Sequence, residues 1–218
     1  MLKSRARKLA GAAMVEFQAV ALLGLLPLCL GLLQSALLAI ENHHVDHAAF
    51  MAARAGATAH GDTGTMRQEF ARAMTPLFVT SSDPLDSGNV TGRVLSAYAR
   101  ALQDIALYGS IKVLSPDAAA QRDFGRTTEG IRAIPNDSLE HRSNSAGRES
   151  GVSLQAANIL QVEFTYCRPL IVPFARQMLI GVLQRMDAAP AHQRCYVAGR
   201  IPVVSTGIAP MQSDFRTD

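Results

Sequence analysis

Between Phe17 and Ile40 the chain runs for 24 residues with only Gln18, Pro27, Gln34 and Ser35 to interrupt its apolar character. As a helix rising about 1.5 Å per residue, the run reaches about 36 Å, enough to cross the hydrocarbon core of a bilayer. No second run of this kind occurs in the 218 residues, so the sequence predicts one span. Lys3, Arg5, Arg7 and Lys8 precede it without an acidic residue. The positive-inside bias then keeps the N-terminus in the cytoplasm and exports the residues beyond Ile40. The run is too long for the core of a cleaved secretory signal, and it ends in the polar ENHHVDH instead of a small-residue cleavage site.

The net charge of +3 belongs to that basic leader. Without its four basic residues, 17 of the 21 Lys and Arg remain against 18 Asp and Glu. A basic surface for nucleic acid is therefore not expected. An apolar share of 48% argues for a folded, well-buried domain beyond the span. Of the three cysteines, Cys29 lies in the span, while Cys167 and Cys195 fall in the exported part, where an oxidising compartment favours their pairing. Closing that loop stabilises by about 3–4 kcal/mol in the chain-entropy model.

Asp46 to Ala59 is alanine-rich and free of proline, so the helix is expected to continue to about His60, where GDTG stops it. Met66, Phe70 and Met74 then repeat at helical spacing, and TSSDPLDSGN reads as a linker. Gly92 to Tyr108 forms an amphipathic helix, SIKVLS a short strand, PDAAAQRDF a helical turn or two, and GIRAIP a further strand. NDSLEHRSNSAGRESG reads as a mobile polar loop. In LQVEFTYC, Leu160, Val162, Phe164 and Tyr166 alternate with polar partners, which predicts a strand with one buried face. An apolar helix over Pro173–Met186 precedes CYVAGRIPVVS, a strand whose Pro202 suggests an edge. On this reading Cys167 lies on the polar face of one strand, Cys195 is in phase with Val197, Ile201 and Val203, and the bridge joins strands or strand ends. The expected class is α+β: a long N-terminal helix, then a small domain with a three- to four-stranded, mainly antiparallel sheet.

A basic leader, then Gly11, Glu16 and Phe17 at the head of an apolar helix resemble the prepilin-type processing signal of type IV filament proteins. With AARAGA, ANILQVEFTYCRPLIVP and the terminal MQS, the chain resembles the TadE-like pseudopilins of the tight-adherence (Flp) pilus system over most of its length. Pro27 lies further from the glutamate than is usual in that family, and Gln34 stands where a second glutamate is common. The resemblance implies a leader over 1–11 and cutting by a prepilin peptidase between Gly11 and Ala12. It implies a long helix over 12–60 with the span at 17–40, and an exported domain over 61–218. It also implies a minor pilus subunit of a bacterial inner membrane, partnered by other pilins and the assembly machinery, with no catalysis and no cofactor. The spacing of residues 12 and 16 would put a new Ala12 amine and the Glu16 carboxylate on one helix face, where they can pair.

The rival reading is an uncleaved, signal-anchored sensor or metal-binding module. His43 and His47 lie at i, i+4 with His44, Glu41 and Asp46 beside them, although two histidines fall short of a structural or catalytic set. An exported hydrolase has little support, because G-x-S-x-G, H-E-x-x-H, S-x-x-K and a phosphate-binding loop are all lacking. His141 and His192 have no nucleophile partner that the sequence reveals. Met178 to Leu183, MLIGVL, is expected in the domain core, with a partner-binding surface or a membrane-resting patch as the alternatives.

Overall fold

The structure, a computed structural model, describes residues 14–79, 90–128, 130–170 and 173–216. The TSSDPLDSGN linker lies outside them. Helix α1 (Met14–Thr58) is a single rod of 45 residues. Pro27 does not break it. Having no N–H to offer the preceding turn, Pro27 follows a widened π-helical turn over Ala21–Leu25, and α-helix resumes at Leu26. The rod stops at Thr58 because His60 and Gly61 turn left-handed, with φ of 58° and 84°, and the Gly61 amide returns to the Gly56 carbonyl at 2.8 Å. Asp62 then caps α2 (Thr63–Met74), accepting from the Thr65 amide at 2.6 Å and from the Thr65 hydroxyl. These Thr65 bonds hold the Asp62 carboxyl below its usual range.

Helix α3 (Val90–Tyr108) leads directly into β1 (Gly109–Ser115), and α4 (Ala118–Phe124) into β2 (Arg126–Thr128) and β3 (Ile131–Ile134). The short α5 (Leu154–Ala157) precedes β4 (Ile159–Pro169), and α6 (Pro173–Met186) and α7 (Pro190–Val197) precede β5 (Arg200–Pro210) and β6 (Phe215–Arg216). The α+β class stands, but the strands form two antiparallel three-stranded sheets, ordered β1-β4-β5 and β2-β3-β6. The second sheet escapes a periodicity reading because β2 and β6 are too short to alternate. Gly130, at φ 82°, lets the chain reverse between β2 and β3.

CYVAGRIPVVS is not one strand. Cys195 lies on α7, and Gly199 at φ 69° ends that helix with its amide on the Tyr196 carbonyl at 2.9 Å, so β5 starts only at Arg200. Pro202 does lie on an edge strand, opposite Cys167. The predicted polar loop is tied down along its length. Asn136 donates to Asp214 and to the Met211 carbonyl, Gln155 donates to the Leu139 carbonyl, and the Asp123 carboxylate receives the Ser150 amide and hydroxyl at 2.8 and 2.7 Å. The Ser150 amide, first, holds Asp123 below the usual carboxylate range.

The outer half of α1 lies inside the core. Val45, Ala48, Ala49, Ala52, Ala53 and Ala57 are buried, and α1 packs on β4, β5 and α2. Phe70 of α2 stacks on Phe164 of β4 with ring centroids 4.8 Å apart. Small side chains let the helix approach the sheet closely. A Cβ placed on Gly207 would lie 2.2 Å from the Ala49 carbonyl oxygen and 2.8 Å from the Ala53 Cβ. Gly207→Val should therefore cost about 3 kcal/mol of domain stability through overpacking, read as a lower unfolding midpoint. Gly181→Ala on α6, where an added Cβ meets nothing within 4 Å, should instead hold the midpoint or raise it slightly, since alanine favours an exposed helix interior by about 0.5–1 kcal/mol.

Candidate functional site

Because α1 is continuous, its two halves can be compared directly. Phe17, Leu23, Leu28, Leu32 and Leu33 are all exposed, and a Cβ built on Gly24 or Gly31 meets nothing within 4 Å. From Glu41 onward one face of the helix is buried against the rest of the protein. The chain thus has one N-terminal helix long and apolar enough to span a membrane, and the apolar half of that helix lacks the coat that the other half has.

Of the predicted processing residues, Gly11 and Ala12 lie outside the described residues. Glu16 and Phe17 are exposed on the first turns of α1.

The junction between the bare and sheathed halves is built from charge. Glu41 and Arg168 are each 7% exposed and form an ion pair between α1 and the last turn of β4. Burial pushes the Arg168 guanidinium down to about 10. One turn further along α1, Asp46 accepts from the Ser205 hydroxyl of β5 at 2.7 Å. A second knot joins α3 to the same end of the sheet. Asp104 receives Arg200 through two nitrogens at 2.8 and 3.0 Å and also the Tyr166 hydroxyl, while Arg200 lies 3.6 Å over the Tyr108 ring and donates to the Cys167 carbonyl. Burial, followed by the Asp104 bond, raises the Tyr166 hydroxyl well above its ordinary value.

Glu41 faces inward to Arg168, and Asp46, exposed like His43 and His47, accepts from Ser205; among the described residues no group of three or more His, Cys, Asp or Glu comes together.

Cys167 and Cys195 lie with their sulfurs at disulfide distance and Cα atoms 5.0 Å apart. The pair joins the end of a strand to a helix, not strand to strand. Because α7 packs on β4 and β5, Thr165 and Cys167, on the face expected to be polar and open, are buried there. The Asp187 carboxylate receives His192 Nδ1 at 2.7 Å, the Tyr196 hydroxyl at 2.8 Å and the Ala189 amide at 3.0 Å. That amide, first, lowers Asp187, and burial raises Tyr196 to about 12. These bonds fasten the connection after α6 to α7.

A separate apolar cleft of about 540 Å³ opens between α2 and the start of α3, lined by Arg72, Thr75, Val90, Val94, Leu95 and Tyr98. It adjoins the linker that lies outside the described residues.

The charged residues of these two knots that sequence reasoning missed are Arg168, Asp104 and Arg200. Arg168 carried a signal: it is in phase with Leu160, Val162, Phe164 and Tyr166, so it falls on the buried face of its strand. Compared with known proteins, the chain matches no family model, no curated protein and no solved structure.

Proposed function

We propose that the chain is a minor pilin-like subunit of a tight-adherence pilus, held in a bacterial inner membrane with its α+β domain exported, and used in assembling a filament for surface attachment. The observation that carries this reading is one helix with two kinds of surroundings: a largely exposed apolar stretch from Met14 to Leu33, then a stretch with one face buried against the domain. The Gly11, Glu16 and Phe17 spacing at its head adds the second support, since it matches what a prepilin peptidase reads. Glycine before the cut leaves the backbone open to a protease. The same helix would bring the Glu16 carboxylate within a turn of a new Ala12 amine, able to pair within a subunit or between neighbours.

The test is N-terminal sequencing after co-expression with a prepilin peptidase. The parent should begin at Ala12, and Gly11→Val should retain its leader. A parent that still begins at Met1, or a Gly11→Val chain that matures normally, would remove the processing assignment. Retention at Met1 would return the chain to an uncleaved signal anchor.

A further inference from the structure

The bare and sheathed halves of α1 do not meet where the apolar sequence ends. Strand β4 runs antiparallel to α1. At its start, the Asn158 carbonyl accepts from the Met211 amide at 2.8 Å, and the next residue, Gln212, reaches the Ala57 carbonyl at 3.0 Å; at its end, Arg168 reaches Glu41. The chain then leaves the sheet at Pro169 and returns at Arg200, so the crossover holding α6 and α7 caps the sheet at the end nearest the apolar half of α1. Helix α6 touches α1. Gln34, inside the apolar run, is 2% exposed. It lies seven residues before Glu41, so the domain reaches about 10 Å further down the helix than the ion pair does. What remains bare, Met14 to Leu33, is about 30 Å long, the thickness of a hydrocarbon core.

The cap at that level is apolar on its outside. Val182 and Met186 are 54% and 79% exposed and share a face of α6 at i, i+4, with exposed Arg185 beside them. Val182, within MLIGVL, is therefore not in the core where the apolar character of that stretch predicts it. The cap is also held in place, by the Cys167–Cys195 pair and by the Asp187 bonds to Tyr196 and His192.

We propose that α6 is an interfacial helix, seated by its Val182 and Met186 face in the outer headgroup layer of the same bilayer that α1 crosses. The inference rests on the membrane-anchored reading above. Its occupant is lipid because the patch lies on the crossover that caps the sheet at the end nearest the bare stretch of α1, and because an exposed arginine flanks it, as suits an apolar face dipped among phosphates. The domain would then rest on the membrane by two contacts, the span and α6, which fixes its tilt.

The test uses the full chain with Cys29→Ala and the Cys167–Cys195 pair oxidised, carrying Val182→Cys, Met186→Cys, Leu23→Cys or Ser143→Cys singly. Each thiol takes a nitroxide, and the protein is placed in nanodiscs of phosphatidylcholine and phosphatidylglycerol. Accessibility to oxygen is compared with accessibility to a water-soluble nickel chelate. The labels at Val182 and Met186 should show a severalfold higher oxygen-to-nickel ratio than Ser143, approaching that of Leu23. If Leu23 is in lipid while Val182 and Met186 match Ser143, the interfacial assignment fails and the span survives. Labels at 182 and 186 shielded from both reagents would mean protein contact, such as a second copy, and would also overturn it. A Leu23 label as wet as Ser143 would overturn the span itself.

Discussion

Arg168→Met should destabilise the domain by about 3–5 kcal/mol, because it strands the Glu41 carboxylate in a site stripped of water. For a domain of this size that corresponds to a fall in melting temperature of roughly 10 °C. The companion variant decides the cause. Glu41→Leu together with Arg168→Met removes both charges and fills the space with carbon, and it should restore the parent midpoint or exceed it by about 1–4 kcal/mol, since desolvating two ions offsets much of their attraction. Urea titration of the protein in mild detergent measures both. Equal loss in the single and double variants would mean that packing, not an orphaned charge, holds this junction.

The second large effect concerns Glu16, and here stability should not change. On the proposed reading Glu16→Gln stays in the membrane fraction, oriented by its basic leader, because the span is apolar enough to insert unaided. It loses the charge that pairs with the Ala12 amine of its own or a neighbouring subunit. A carboxylate without a partner inside the bilayer costs about 3 kcal/mol, so a stagger that supplies one is favoured on the order of a hundredfold over one that does not. Glutamine keeps the shape and most of the hydrogen bonding, so the comparison isolates charge. Pilus-dependent adhesion should fall sharply while fractionation and leader removal hold. Normal adhesion, or release of the variant from the membrane, would return Glu16 to an incidental interfacial carboxylate.

The long helix, α3, β4 and the cysteine pair were legible because each repeats or pairs on a scale that the chain displays: one continuous apolar run, apolar residues every third or fourth position, strict alternation, two cysteines outside the span. The short strands were not, since two or three residues carry no period. Cys195 was assigned to a strand because valine and isoleucine come after it at even spacing, and the left-handed Gly199 that separates helix from strand looks like any other glycine in the sequence. Glu41 was legible in type but not in direction. Among histidines it reads as part of a polar collar, yet Glu41, Val45, Ala48 and Ala52 share one helical face, and with Arg168 on the buried phase of β4 the two charges could have been matched. Asp104 and Arg200 are 96 positions apart, and only the folded topology brings them together.

The way α1 lies against the sheet has a mechanical meaning. Strand β5 runs alongside the helix in the same direction, meeting it at Asp46 through Ser205, at Ala49 and Ala53 through Gly207, and at Ala57 through Gln212. A pull along the helix axis therefore loads this seam in shear, with every contact along its length strained together, instead of peeling them apart one by one. No hinge interrupts α1 between Leu26 and Thr58, so tension or torque applied at the apolar end arrives at the sheet undiminished. The domain and its stem would move as one lever, with its stiffness set by a row of alanines and a glycine.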